Sequence, residues 1–174
     1  MAWAQVGRRF GTIISLTGDI KCKVGSRTQW TEDIASIDRR VTAAIAAARA
    51  ELGIEIDGAK RIVVGYSQGS LKAEALASRF PDRYPRAVLI AGPRGPRDES
   101  LRKTEAILFM VGDHDARDHL REATRKLEKR GKTVRYLELR GARHGEYGPD
   151  AEKTVAEGLE WLFSTPSRLQ AGGG

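Results

Sequence analysis

Three residue types that together carry out acyl transfer stand at separate points of the chain. Ser67 lies in the stretch Gly65-Tyr-Ser-Gln-Gly69, and Asp115 and His144 each follow a later apolar run. A serine hydroxyl is a poor nucleophile at neutral pH, so an imidazole must take its proton and a carboxylate must orient that imidazole. The pattern predicts nucleophilic catalysis with Ser67 as nucleophile, His144 as general base and acid, and Asp115 as the orienting group.

The sequence around Ser67 strengthens this prediction. The pattern Gly-x-Ser-x-Gly alone is weak, because it also occurs by chance. Here, however, an apolar run precedes the motif and a helix-forming run follows it. That order is typical of a nucleophile elbow, a sharp strand-to-helix turn that holds the serine in a strained conformation. Gly65, Gly69 and Ser70 are small, as expected where strand and helix approach closely. The backbone N–H of Gln68, directly after the nucleophile, is expected to help bind the oxyanion.

Each partner of the serine has an alternative. Asp113 competes with Asp115 as the acid, but Asp115 lies farther beyond the strand and is better placed; it would also suit as a cap of the next helix. His114 is too close to the acid in sequence, and His119, inside the following helix, is a weaker alternative to His144. No cluster has metal-ligand spacing and no glycine-rich phosphate loop is present, so we predict no metal and no cofactor.

Short apolar runs alternate with helical patterns, and these elements must position the three residues. Strands are predicted at 12–16, 61–65, 87–91, 106–111 and 134–139. The second to fourth are continuously apolar, as strands covered on both faces are, whereas the last alternates like an edge strand. Helices are predicted from residue 31 onward and at 67–80, 115–130 and 150–163. Thr31 is the expected N-cap of the first of these, with Glu32 and Asp33 in its first turn.

This alternation predicts an α/β fold, in which helices form layers on both faces of a mostly parallel sheet. The carboxyl ends of parallel strands meet at one edge, where active groups collect. Ser67, Asp115 and His144 each follow a strand, so the three side chains are expected to converge there.

The chain resembles the α/β-hydrolases of the carboxylesterase, phospholipase and dienelactone hydrolase type. The order serine, acid, histidine is the order of that fold, and the resemblance covers residues 12–163. The matching stretches are Gly65-Tyr-Ser-Gln-Gly69, Gly112-Asp-His-Asp115 and Gly141-Ala-Arg-His-Gly145. The resemblance implies a minimal α/β-hydrolase fold and the hydrolysis of an ester, thioester or amide through an acyl-enzyme, without a cofactor.

One departure concerns the oxyanion hole. The family has an early strand followed by a His-Gly-type loop that supplies a second donor, and no such loop precedes Ser67; only a short helical segment at 1–9 precedes the strand at 12–16. Three explanations compete. The sequence begins late within the family fold, a neighbouring chain supplies the missing strand, or the second donor lies elsewhere, such as in Thr17-Gly-Asp19. We favour the first two over the third. Because a lost donor costs about 10²–10³ in turnover, the alternative function is a weak or inactive hydrolase-like binding or scaffold domain.

A second departure concerns the lid. The connection from Gly92 to Ser100 is too short for the insertion that often covers such sites. We therefore expect an open, shallow pocket that suits small or water-soluble esters better than long-chain lipids. Arg94 and Arg97 in this connection are candidates for meeting an anionic substrate, although loop arginines are more often simply solvated.

Size and charge limit the remaining possibilities. The 174 residues suit one domain, predicted at 1–164, followed by a flexible tail at 165–174. The net charge of +7 raises nucleic-acid binding as a third hypothesis. The cations are mixed with acids and form no aromatic-interleaved stripe, so we predict a solvated basic surface and no nucleic-acid partner.

Cysteine content and hydropathy add little about partners or compartment. The single cysteine, Cys22, excludes an internal disulfide. No apolar run approaches the length of a membrane span, and the N-terminus lacks the order of a signal peptide, so the compartment stays undetermined. The expected partners are a small-molecule ester and, through exposed strand edges, a second copy of the chain.

Overall fold

The computed structural model describes residues 2–23, 25, 28–97 and 99–166. Five helices and six strands lie in these ranges, with a single 3₁₀ turn at Gly58–Lys60. The helices are α1 (Ala2–Gly7), α2 (Ile34–Leu52), α3 (Gln68–Arg79), α4 (Asp118–Lys129) and α5 (Ala151–Ser164). The strands are β1 (Ile20–Lys21), β2 (Thr28–Gln29), β3 (Ile62–Tyr66), β4 (Arg86–Ile90), β5 (Ala106–Gly112) and β6 (Val134–Leu139).

One parallel sheet organises the molecule. Its strands lie in the order β3-β4-β5-β6, while β1 and β2 form a separate antiparallel pair. The register places Val64, Val88 and Leu108 side by side across three strands. Because all four strands run in the same direction, the loops after β3, β5 and β6 emerge at one edge of the sheet. Four of the five predicted strands are confirmed within about two residues, as element boundaries usually are.

Two buried clusters cover the two faces of the sheet and confirm the three-layer arrangement. On one face α2, α3 and α4 pack against the strands, through residues that include Ile37, Leu76, Leu89, Phe109 and Leu120. On the other face α1 and α5 pack, through residues that include Val6, Val88, Leu108, Met110 and Leu162. Burying one such side chain stabilises the fold by about 1.5–3 kcal/mol, so β4 and β5, buried along their whole length, form a firm platform for the loops.

The outer strands differ from the central ones. The sequence predicted that the strand at 61–65 is covered on both faces, and this prediction is wrong. The strand is β3, which lies at an edge of the sheet, and its Val64 side chain is 43% exposed. The expectation of a half-exposed edge strand at 134–139 is confirmed by β6. An open edge presents unpaired backbone groups, and self-association through it stays a prediction.

The strand predicted at 12–16 is wrong. This segment has no ladder partner in the described chain, and a strand exists only through its ladder. The N–H groups of Arg9, Phe10 and Gly11 instead bond back to α1, which turns the chain, and Ile13 packs against Gly7. The apolar run therefore follows α1 without joining the sheet. The helical segment predicted at 1–9 is confirmed by α1 at residues 2–7, and residue 1 lies outside the described ranges.

Helix starts also differ from the prediction. Asp33, not Thr31, caps α2, because its carboxylate accepts a hydrogen bond from the N–H of Ala35 at 3.0 Å. Glu32 and Asp33 therefore precede the first turn instead of occupying it. The helix predicted from residue 115 begins at Asp118, since Asp115 is held in the preceding turn.

The C-terminal end is tied down slightly farther than expected. Thr165 donates its N–H to the carbonyl of Trp161 at 3.1 Å, and its own carbonyl accepts from Arg86 at 2.9 Å. The rest of the predicted tail from residue 167 lies outside the described residues.

Between β4 and β5 the described residues contain turns but no helix or strand, so the fold carries no lid in this connection. No helix in the described ranges combines the length and apolar character needed to cross a bilayer. The thiol of Cys22 is free and half-buried.

Candidate active site

Ser67 occupies a strained turn between β3 and α3. Its backbone has φ 51° and ψ −116°, a region that side-chain-bearing residues rarely adopt and that costs about 1–3 kcal/mol. The turn is held on both sides: the Ser67 N–H donates to the carbonyl of Ile90 at 2.8 Å, and its carbonyl accepts from the N–H and hydroxyl of Ser70. The strained backbone predicted from the motif is therefore present.

Gly65 is required by the close approach of strand and helix. A methyl group at Gly65 would lie 2.1 Å from the carbonyl oxygen of Gly69 and 2.7 Å from the nitrogen of Ser70. Gly69 does not have the same role, since the nearest atom to a methyl group there is the indole nitrogen of Trp30 at 4.0 Å. The sequence argument that both glycines relieve a clash is right for Gly65 and wrong for Gly69.

This asymmetry gives a matched pair of variants. Gly65→Ala forces backbone atoms apart and is expected to destabilise the protein by at least about 3 kcal/mol. Gly69→Ala places a methyl group in open space within a helix and is expected to stabilise the protein by about 0.5–1 kcal/mol. Urea unfolding of both variants measures the difference, and equal stability of the two would show that the turn is not packed as described.

The loop after β6 carries His144. It contains three glycines with positive φ: Gly141, Gly145 and Gly148, at 68°, 92° and 73°. A side chain at Gly148 would meet the carbonyl of Arg140 at 2.0 Å, so the two ends of the loop lie close together. The loop thus folds back over the carboxyl edge of the sheet.

The loops after β5 and β6 touch each other. A methyl group at Gly112 would lie 2.2 Å from the carbonyl oxygen of Ala142, and the N–H of His114 donates to that same carbonyl at 3.1 Å. The glycines in the two motifs therefore permit the contact that brings Asp115 and His144 together.

Ser67, His144 and Asp115 form a continuous hydrogen-bonded chain. The Nε2 atom of His144 lies 3.0 Å from the Oγ atom of Ser67, and Nδ1 lies 2.8 Å from Oδ2 of Asp115. An ionised carboxylate only accepts hydrogen bonds, so Nδ1 carries the proton and Nε2 is left to accept the hydroxyl proton of Ser67. This arrangement can move a proton from Ser67 to His144.

The Asp115 carboxylate is fixed from a second side. Its Oδ1 atom accepts the N–H of Ala116 at 2.7 Å, and the N–H of Asp115 itself donates to Gly112 at 3.1 Å. The Asp115 side chain is 14% exposed, against 52% for that of His144. The Asp115 carboxylate is thus sheltered from solvent, whereas the His144 imidazole is open to it. Asp115 does not cap α4, because the bond to Ala116 lies before that helix.

The alternative residues are placed elsewhere. Asp113 contributes no bond to His144 in the described structure; its Oδ1 atom is buried without a hydrogen-bond partner there, 3.8 Å from Nε2 of His114. His119 donates from Nε2 to the carbonyl of Gly92 at 2.8 Å, which ties α4 to the loop after β4. Neither Asp113 nor His119 joins the chain that begins at Ser67.

Tyr66 was missed by the sequence argument. Its hydroxyl accepts a hydrogen bond from the N–H of Gly145, and its ring lies 5.6 Å from that of His144 and 5.7 Å from that of Tyr147. Burial raises the pKa of Tyr66, the Gly145 hydrogen bond lowers it, and the charges of Asp115 and Glu146 raise it further, so that the phenol stays neutral near pH 7. A tyrosine directly before the nucleophile was the available signal.

Two candidates for oxyanion donors were predicted, the N–H of Gln68 and the loop at 17–19, and their surroundings differ. Gln68 is the first residue of α3, so its N–H belongs to the four that lack an acceptor within the helix and lies at its positive end. The loop at Thr17 and Asp19 is tied to α2 and its approach instead, since Arg40 donates to the Thr17 carbonyl and Asp19 accepts from the N–H of Thr31. A donor role for either Gln68 or this loop stays a prediction.

The loop arginines are used differently from each other. Arg94 forms an ion pair with the buried carboxylate of Glu74 at 3.1 Å and donates to Gly95 at 2.7 Å. Glu74 also accepts the N–H of Arg97 at 2.8 Å, so the pair holds the loop after β4. The Nη1 group of Arg94 is therefore engaged within this loop, whereas Arg97 is among the residues that line a cleft beside α4. In the ranges that the structure covers, no three His, Cys, Asp or Glu side chains are grouped as metal ligands.

Comparison with known proteins identifies the fold. No protein-family model and no curated protein matches the sequence. Esterase PE8 is similar in structure, with a TM-score of 0.59 over 84% of this chain and 76% of its own, at 20% identity. An uncharacterized protein from Bacillus cereus gives a TM-score of 0.69 over 92% of this chain and 53% of its own, at 15% identity.

A third similar structure is FphF, a fluorophosphonate-binding serine hydrolase of Staphylococcus aureus. The TM-score is 0.56 over 72% of this chain and 62% of that one, at 10% identity. The chain thus spans about half to three quarters of these structures. Likeness at these identities is one of fold, and the chain has the α/β-hydrolase fold in a small, lidless form.

Proposed function

We propose that the protein is a serine hydrolase that cleaves carboxylic esters, thioesters among them, of small or soluble substrates. The observation that carries the proposal is the chain of hydrogen bonds from the Ser67 hydroxyl through His144 to Asp115. The Asp115 carboxylate, 29 positions from His144, bonds to one imidazole nitrogen, and the Ser67 hydroxyl, 77 positions away, bonds to the other. This combination of groups suits proton transfer during acyl transfer.

The reaction has two halves. In the first, Oγ of Ser67 attacks the acyl carbon while Nε2 of His144 takes its proton; the bond to the leaving alcohol then breaks and His144 protonates that alcohol. In the second, water loses a proton to His144 and attacks the acyl carbon; the bond from that carbon to Oγ then breaks, His144 returns the proton to Oγ, and the acid is released. No redox change or external co-reactant other than water is involved.

Asp115 and Gln68 have supporting roles. Asp115 keeps the proton on Nδ1 and stabilises the imidazolium that forms in each half-reaction. The N–H of Gln68 at the start of α3 is proposed to donate to the oxyanion. The strained backbone of Ser67 lies at the turn between β3 and α3, and we propose that this conformation pre-organises the nucleophile before substrate binds.

The open surroundings favour small substrates. No helix covers the site from the described part of the β4–β5 connection. A cleft of about 540 Å³ is lined by Gln5, by Tyr147 and by the first turn of α5, and the Tyr147 ring lies beside that of Tyr66. Because half of the His144 side chain is exposed, a soluble ester can reach it without a gating motion.

The fold supports the hydrolase class but not a particular substrate. PE8 is described as an esterase and FphF as a fluorophosphonate-binding serine hydrolase, and both share the fold at low identity. The second candidate function, a weak or inactive hydrolase-like binding domain, is favoured because no His-Gly loop that could supply a second oxyanion donor precedes Ser67 in the sequence.

Active-site labelling tests the proposal. A fluorophosphonate probe should phosphonylate the folded protein at Ser67, with the modified peptide identified by mass spectrometry, and p-nitrophenyl acetate should be turned over. Ser164→Ala removes another serine hydroxyl, which bonds only locally to Trp161 in the described structure, and should not change labelling. Folded protein that is neither labelled nor active would favour the binding-domain alternative.

A further inference from the structure

The residue that precedes the nucleophile also contacts the loop that carries the base. We propose that Tyr66 is a positioning residue, which holds His144 in register with Ser67 by binding the N–H of Gly145. This inference rests on the proposed hydrolase function, because positioning is meaningful only if His144 acts on Ser67.

The hydrogen bond joins β3 to the loop after β6, in addition to the ring contacts of Tyr66 with His144 and Tyr147. Tyr66 is the last residue of β3, so its backbone is fixed in the sheet by its pairing with β4. Its hydroxyl accepts the N–H of Gly145, the residue directly after His144, at 2.5 Å. The hydrogen bond therefore restrains Gly145, the residue next to His144, relative to β3.

The His144 loop needs such a restraint. It contains three glycines with positive φ, and glycine gives up more conformational freedom on folding than any other residue. The imidazole is half exposed, so packing restrains it little. Arg143 and Glu146 close a local turn around His144, but that turn does not reach β3. The bond to Tyr66 does.

The phenol is well suited to act as a fixed acceptor. The Tyr66 ring is half-buried against the cluster formed by α1 and α5, and lies beside the rings of Tyr147 and His144. A side chain packed in this way has few rotamers available, so the hydroxyl oxygen of Tyr66 keeps nearly the same position. A phenol is protonated near pH 7, and burial raises the pKa of Tyr66 further, so its oxygen can accept from Gly145 without adding a charge beside Asp115.

Loss of the hydroxyl should act on the chemical step. In Tyr66→Phe the ring remains, while the Gly145 N–H loses its acceptor and the loop samples positions in which Nε2 is farther from Oγ than 3.0 Å. One neutral hydrogen bond corresponds to about a five-fold change in an equilibrium, so kcat is expected to fall about five-fold. The phenol is not proposed to touch substrate, so KM should change less than about two-fold.

The matched control is Tyr136→Phe. Tyr136 is also a half-buried tyrosine whose hydroxyl donates a hydrogen bond, to Glu138 at 3.1 Å, but it packs on the opposite face of the sheet. Its variant should lose a similar small amount of stability and keep kcat. A fall in kcat that is equal in both variants, or that follows the folded fraction alone, would assign Tyr66 a merely structural role.

Two spectroscopic readouts complete the test. The downfield ¹H NMR signal of the Nδ1 proton of His144 should broaden or shift in Tyr66→Phe and stay unchanged in Tyr136→Phe. In the unmodified protein the amide of Gly145 should exchange slowly with deuterium, a measurement that needs no variant to fold. Unprotected exchange at Gly145, or an unchanged signal together with unchanged kcat, would overturn the inference. Absence of Ser67 labelling in the unmodified protein would instead contradict the proposed function.

Discussion

Ser67→Ala is expected to lower kcat for p-nitrophenyl acetate by about 10⁶-fold, the loss measured when the nucleophile is removed from another serine hydrolase. Without Oγ there is no acyl-enzyme, and water would have to attack directly in a site arranged for serine attack. What remains is the contribution of the oxyanion donors and substrate binding. A progress curve with trace-contamination controls measures the residual rate.

The variant should fold normally, which makes the result interpretable. The side chain of Ser67 makes no capping bond to α3, and the backbone bonds that hold the turn are independent of Oγ. Alanine meets the same backbone strain at φ 51° as serine does. Circular dichroism and the urea midpoint should therefore match the unmodified protein, and a variant that keeps more than a tenth of the activity would refute the nucleophile assignment.

The convergence of Ser67, Asp115 and His144 could be predicted from the sequence because a local pattern marks each of the three residues. Gly65 identifies the elbow, since backbone atoms of α3 occupy the place of its side chain. Gly112 marks the contact between the loops that carry Asp115 and His144. Continuous apolar runs identify β4 and β5, because strands buried on both faces need no polar residues. Each of these signals involves residues close together in the sequence, so a single sequence is enough to recognise it.

What the sequence did not predict depends on pairing between distant residues. Whether an apolar run becomes a strand depends on a neighbour, and the run at 12–16 has none in the described chain. The exposure of Val64 follows from the position of β3 at the end of the sheet, which no local pattern encodes. Tyr66 occupies one of the variable positions of the elbow motif, and its hydrogen bond from the Gly145 N–H joins residues 79 positions apart, which no local pattern encodes.

Asp115→Asn is expected to lower kcat by about 10⁴-fold while leaving the geometry almost intact, as the equivalent change does in a serine protease. Oδ1 of the amide can still accept the N–H of Ala116, which directs the NH₂ group toward Nδ1 of His144. An NH₂ group donates, so the imidazole must place its proton on Nε2, where it cannot accept the proton of Ser67. The loss therefore arises from the wrong tautomer, not from a lost contact, and activity should fall with little change in the urea midpoint.

Asp113→Asn is the matched control, because it makes the same chemical change two residues earlier in the same loop. Its Oδ1 atom has no hydrogen-bond partner in the described structure, so kcat should stay within about two-fold of the unmodified value. Stopped-flow measurement of acylation and deacylation for both variants separates the two half-reactions, and Asp115→Asn should slow each of them because His144 accepts a proton in both. A larger loss in Asp113→Asn than in Asp115→Asn would move the orienting role to Asp113, and equal rates in all three proteins would mean that the carboxylate at 115 does not set the tautomer of His144.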